Sequence, residues 1–190
     1  MLNPLLIASR AAGVCALALA VLSSVHAAPV LQMSAATSAT GIDLTVRAQD
    51  VVDLYAYQFT LNYNPALLTA LSGTEGAFLP DAGSTFFFPG DIDAASGSFA
   101  FAFGTLIGPA AGVNGSGDLV TFSFNVAQSG MASFSLSDVF LLNSTGAESP
   151  VEFRELVVQV AEVPEPASLW LSAIGLFALL GGRAMKRRTR

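Results

Sequence analysis

Within residues 54–63 the apolar side chains Tyr55, Tyr57, Phe59, Leu61 and Tyr63 fall on every second position, with Ala56, Gln58, Thr60 and Asn62 between them. A period of two sends alternate side chains to opposite faces of an extended chain and does not fit one stripe of a helix, so this stretch is a strand with one buried face. The same period recurs in Ile42, Leu44, Val46 and Ala48, which leave Asp43, Thr45 and Arg47 to water. It returns in Val120, Phe122, Phe124 and Val126 within 118–126, and in Phe134 and Leu136 within 131–140, where Val139 is also expected inside although it is off that period. Shorter apolar pieces at 30–36, 68–72, 85–88, 98–103 and 151–160 lie between clusters of Gly, Pro, Asp and Ser that mark turns. Asn64 caps a single helical turn at Pro65-Ala66-Leu67-Leu68. Residues 108–117 read as a glycine-rich link, and Gln128-Ser129-Gly130 as the turn of a hairpin joining 118–126 to 131–140. About nine short strands with no long helix predict an all-β sandwich of two sheets. In 98–103, Phe99, Phe101 and Phe103 alternate with small residues; with Phe86, Phe87 and Phe88 they are expected in the core rather than on a sugar-stacking or docking face.

The two ends differ in kind from this body. Arg10 precedes an apolar run at 11–22, and Val25-His26-Ala27 offers small residues at the positions a signal peptidase reads, so residues 1–27 are expected to be a signal peptide cut between Ala27 and Ala28. An uncleaved anchor is the alternative, because Leu2, Leu5, Leu6 and Ile7 make the leading segment itself apolar. The body, 28–162, is followed at 163–190 by three parts in order. Val163-Pro164-Glu165-Pro166 is held extended by its prolines. Residues 167–182 carry no charge and as a helix reach roughly 24 Å, slightly short of a hydrocarbon core of about 30 Å. Arg183, Lys186, Arg187, Arg188 and Arg190 close the chain, and such a cluster stays on the cytoplasmic side, leaving the body outside.

What the body lacks limits its chemistry. Cys15 and His26, each the single residue of its type, lie in the signal peptide, and no lysine precedes Lys186. The body therefore has no thiol nucleophile, imidazole base, Cys/His zinc site, Schiff-base lysine or disulfide. From 28 to 166 it carries two bases, Arg47 and Arg154, against fourteen acids, a formal charge of −12 that repels nucleic acid and keeps an exported domain soluble. Asp91 and Asp93, two apart in a glycine-bounded stretch, are candidate calcium ligands with help from groups such as Asp81; the other reading is a turn in which each Asp bonds its own backbone. A glycosidase built on two of Asp81, Asp91, Asp93 and Asp118 is the enzyme class left open. Asn114-Gly115-Ser116 and Asn143-Ser144-Thr145 fit the glycosylation tripeptide but are expected to be turns.

Two resemblances follow from these residues. Pro164-Glu165-Pro166, the short span and Lys186-Arg187-Arg188 resemble the PEP-CTERM sorting signal of Gram-negative bacteria, which implies handling by an exosortase, a membrane transpeptidase. A plain C-terminal anchor is the alternative. The body over 30–160 is similar to a cohesin-type jelly roll, on the strand and turn Tyr57-Gln58-Phe59-Thr60-Leu61-Asn62-Tyr63-Asn64-Pro65-Ala66-Leu67-Leu68 and on Gly117-Asp118-Leu119-Val120-Thr121-Phe122-Ser123-Phe124-Asn125-Val126. For cohesins the resemblance implies dockerin recognition, but a lone domain on such a tail departs from the scaffold setting. The expectation is thus an exported, non-enzymatic interaction domain without a cofactor. Signal peptidase and exosortase would process it, and its C-terminal helix would hold it in the membrane. Its ligand at the cell surface or in the extracellular matrix would be a protein or an exopolysaccharide. A carbohydrate-binding module or weak carboxylate hydrolase is the rival.

Overall fold

The computed structural model describes residues 28–37 and 41–161, so the expected signal peptide and the sorting tail with its membrane helix lie outside the described residues. Eleven strands form the body, two more than the pattern suggested, and no helix occurs among the described residues. In chain order they are β1 (Val30–Thr37), β2 (Ile42–Tyr63), β3 (Leu68–Glu75), β4 (Thr85–Phe88), β5 (Asp91–Asp93), β6 (Ser98–Leu106), β7 (Val113–Val126), β8 (Gly130–Asn143), β9 (Glu148–Ser149), β10 (Glu152–Phe153) and β11 (Leu156–Val160). The pieces expected at 41–48 and 54–63 are one strand, β2, and the second half of the presumed glycine-rich link belongs to β7. The piece expected at 151–160 is split into β10 and β11.

The length of β2 organises the two layers. Its first half pairs with β1 and β7, and β7 pairs with β3; this is layer one. Its second half pairs with β6 and β8, which carry β4, β5, β9 and β11; this is layer two. Between the halves the chain turns back over the core, with φ of 54° at Asp50 and 56° at Asp53, a region that Asp tolerates better than most side chains. The turn is held by neighbours: Asp50 N–H donates to Ser116 Oγ (3.0 Å) and Asp53 N–H to Asn114 Oδ1 (2.9 Å). The Asp53 carboxylate accepts from Gly112 N–H (3.0 Å) and from Ser144 Oγ (2.8 Å), tying three loops together. Asn114 and Asn143 are turn residues here, Asn143 Oδ1 accepting from Thr145 Oγ1 (2.7 Å) and the Ala147 amide (2.8 Å).

The Asp53 lock gives stability one pH-dependent contribution. Its hydrogen bond from Ser144, aided by the Gly112 and Ser144 amides and opposed by desolvation, holds its pKa below the ordinary carboxylate value. A group depressed in the folded state adds stability above its unfolded pKa and loses it as pH falls through the folded one. Asp53→Asn is therefore expected to lower the thermal midpoint at pH 7 and to lessen its further fall between about pH 4 and pH 2. Differential scanning calorimetry across that range checks this, and parallel curves for the two proteins refute it.

Rings from the two layers interleave in the core. Phe122 and Phe124 of β7 meet Phe99 of β6 at 4.6 and 5.7 Å between centroids, while Phe124 also meets Tyr63 at 5.1 Å and Phe134 of β8 at 5.4 Å. That arrangement explains why the expected hairpin at 128–130 does not form. β7 and β8 bury their rings towards each other from opposite layers, so the chain crosses the sandwich between them, with the Ala127 and Gln128 amides both donating to Leu67 O (2.8 and 3.3 Å). The turn after Asn64 is present as read, Leu68 N–H reaching Asn64 O (3.1 Å) and Ala66 N–H the Asn64 side chain (3.0 Å). β1 begins beside Gln49 and β11 ends beside Gly130, at opposite ends of the sandwich.

Candidate functional site: the outer face of layer two

The outer faces of the two layers contrast. On layer one hydroxyls and amides close on each other. Thr45 and Thr121 share a hydrogen bond of 3.1 Å, Thr74 Oγ1 donates to Thr121 O (3.2 Å), Ser123 Oγ to Asp43 (2.7 Å), Arg47 to Asp118 (2.6 Å), and Gln49 to Gln32. Layer two instead presents phenylalanines. Phe88 of β4 lies opposite Phe103 of β6, Phe103 opposite Gln58 of β2, and Gln58 opposite Phe140 of β8, a single row across four strands. Phe86 and Phe88 each contact Phe103 at 5.7 Å. Phe86, Phe101 and Phe140 are 56%, 57% and 43% exposed.

The core expectation thus holds for Phe99, and for Phe87 in part, and fails for Phe86 and Phe101, while Phe88 and Phe103 are half-buried on the outer row and outside the core cluster. On β6 and β8 two β-bulges are the cause. Phe59 and Leu61 of β2 face Ala102 and Phe99, so three steps of β6 oppose two of β2, and φ of Phe101 is 57°. On the other side Gln58 and Thr60 face Phe140 and Ser137, an extra residue at Asp138 with φ of 50°. One inserted residue swaps the faces of all that follow. Beyond the bulges Ala102, Leu106 and Leu141 enter the core and Phe101, Phe103 and Phe140 turn out. Three consecutive phenylalanines at 86–88 were the available signal, since a strand must turn at least one of them outward.

The carboxylates named as candidates are dispersed. Asp118 is engaged by Arg47 on layer one, and Asp81 sits in the turn after β3, its amide donating to Ala77 O (2.9 Å). Asp91 and Asp93 form β5 at the edge of layer two. Asp93 Oδ1 accepts from the Ala95 and Ser96 amides (2.9 and 3.2 Å), and Ser96 is the main cause that holds its pKa below the ordinary value. A calcium ion there would compete with both amides. No cluster of three or more His, Cys, Asp or Glu placed to hold a metal occurs among the described residues.

Comparison with known proteins bears on both parts of the chain. A family model described as the cohesin domain matches residues 29–150, and one described as the PEP-CTERM protein-sorting motif matches residues 162–188. No curated protein matches significantly. Among solved structures, the non-cellulosomal cohesin of the archaeon Archaeoglobus fulgidus superposes with a TM-score of 0.56 at 13% identity, over 73% of this chain and 94% of that one. The third ScaC cohesin of Acetivibrio cellulolyticus, solved with the ScaB dockerin, gives 0.56 at 14% identity over 70% and 98%. The OlpA cohesin of Clostridium thermocellum, also solved with a dockerin, gives 0.55 at 14% identity over 70% and 99%. At these identities the likeness is one of fold.

Proposed function

The chain belongs to the cohesin domain family and ends in a PEP-CTERM protein-sorting motif, and from that premise we propose an exported, non-catalytic interaction domain that binds a protein partner through the phenylalanine face of layer two. Signal peptidase and an exosortase process it, its C-terminal helix holds it in the membrane until it is cut, and its destination is the cell surface or extracellular matrix. The observation that carries the binding reading is the row Phe88, Phe103, Gln58, Phe140 with Phe86 and Phe101 beside it. Aromatic side chains dominate binding energy at protein interfaces, and contiguous exposed apolar patches on soluble domains mark such sites. Two of the structural relatives are solved with dockerins, which agrees with a protein partner. An exopolysaccharide is less well served. Phe86 and Phe88 are tilted by 32° and 44° to Phe103 and form no flat platform for a sugar ring.

Two measurements test this. A benzophenone side chain placed at position 103 in the native host is expected to give protease-sensitive adducts, and one at position 45 none; adducts from 45 alone, or from neither, reject the face. Intact mass with and without the exosortase gene tests the address. A form beginning at Ala28 and ending near Pro166, lost in the deletion strain, supports it, whereas retention of Arg190 in both strains makes the tail a simple anchor.

A further inference from the structure

The two bulges meet at one level. Thr60 of β2 lies between them, its Oγ1 accepting from Phe101 N–H (3.3 Å) on one side, its register partner being Ser137 on the other. One register line, the crease between the bulges, therefore crosses layer two: Asp91 opposite Ala100 on β5 and β6, then Phe101, then Thr60, then Ser137 and Asp138 on β8. Carboxylates stand at both ends, Phe101 and Asp138 are exposed, and Thr60 is 8% exposed at the floor. Asp91 and Asp138 are three strand spacings apart, about 14 Å. The phenylalanine row lies immediately to one side of the crease. No base answers these acids on this face: of the two described bases, Arg47 is held by Asp118 on layer one and Arg154 lies in the link between β10 and β11.

We infer that the crease seats two basic side chains of the protein partner, about 14 Å apart and flanking an apolar patch that rests on the phenylalanine row. The inference rests on the protein-binding reading of this face and specifies its chemistry. Opposite charge across an interface fixes register and excludes wrong partners. The exposed Phe101 ring in the crease is also a surface on which a guanidinium can stack. A second copy of this chain does not fit, because it brings carboxylates to carboxylates.

The test uses the full chain in neutral-lipid nanodiscs and labelled helical peptides with a leucine stripe and two arginines. In one isomer the arginines lie eleven positions apart on that stripe, about 16 Å; in the other they lie four apart, about 6 Å. Fluorescence anisotropy is expected to show the wide isomer binding at least tenfold more tightly. That preference is expected to vanish in Asp91→Asn and in Asp138→Asn, and to persist in Asp81→Asn. Absence of a preference, through equal binding or none, overturns the inference, and so does a preference that survives both carboxamide variants or is lost equally in Asp81→Asn. The parent reading fails separately: if Phe86→Ala and Phe103→Ala leave the binding of every peptide unchanged, the face itself is not the interface.

Discussion

Phe99→Ala is expected to be the most damaging single truncation on the layer-two strands. The ring is fully buried and touches Phe122, Phe124 and Tyr63 at centroid separations of 4.6, 5.7 and 6.2 Å. It therefore joins the two layers at their point of closest ring contact. Removing it forfeits the transfer energy of the ring and leaves a cavity that two strands of different layers cannot jointly close, a loss of about 3–5 kcal/mol. In a domain of this size that corresponds to a fall in thermal midpoint of roughly 10–20 °C. Phe101→Ala, two residues on and more than half exposed, is expected to change the midpoint by no more than about 2 °C. Urea unfolding of the two variants side by side decides the matter. Comparable losses at both positions would mean that the β6 bulge does not exist in solution.

Gly104→Ala comes next. A Cβ at this position would lie 2.7 Å from Tyr57 Cε1 and 2.8 Å from its Cζ and Oη, because the Tyr57 ring occupies the space over the glycine opposite it. The ring cannot step aside freely. It is stacked on Phe59 at 5.8 Å, and its hydroxyl donates to Leu119 O of the facing layer at 2.9 Å. Overpacking together with the loss of that hydrogen bond is expected to cost about 2–4 kcal/mol, and most of the cost should disappear in a Tyr57→Ala background, where the two effects are no longer independent. Alkali provides a second readout. Burial, with a smaller contribution from Glu75, raises the Tyr57 pKa above 10.0. A phenol with a raised folded pKa holds its full contribution below the unfolded value and loses it as pH climbs past about 10. Tyr57→Phe should therefore flatten the alkaline limb of the stability curve; an unchanged limb would refute the buried phenol.

These two sites show what could be read from the residues and what could not. The facing core was legible because period two survives along most of β2 and along the second half of β7: Tyr57, Phe59, Leu61, Phe122 and Phe124 are all buried. Membership of two layers was legible from the same alternation, but the crossing at 127–129 was not. Gln128-Ser129-Gly130 suits a hairpin locally, and only the need of Phe124 and Phe134 to meet across the core sends the chain to the other layer. The outward phenylalanine face was hidden for a sharper reason. Alternation at 99, 101 and 103 was read as one buried aromatic face, and the bulge that breaks it sits at Phe101, a bulky residue in a backbone region that such residues rarely adopt. Tertiary packing decides that conformation, so no local propensity announces it. Val139 within the sequence reading of β8 was the one sign of a similar break on the other side, since it departs from the period set by Phe134 and Leu136.

The place where β11 leaves the sandwich also has a mechanical meaning. Leu156 to Val160 run antiparallel to β8, pairing with Phe134 to Gly130, so that Val160 lies at the end of the sandwich opposite the start of β1. A pull applied at Val160 along the strand axis and resisted on β8 acts parallel to β11. All five residue pairs then share the load in shear instead of opening one after another, and β8, which takes up that load, is itself a strand of the phenylalanine face. The C-terminal end of the sandwich is thus joined to the phenylalanine face through one strand pair, and such a load need not pass through layer one at all.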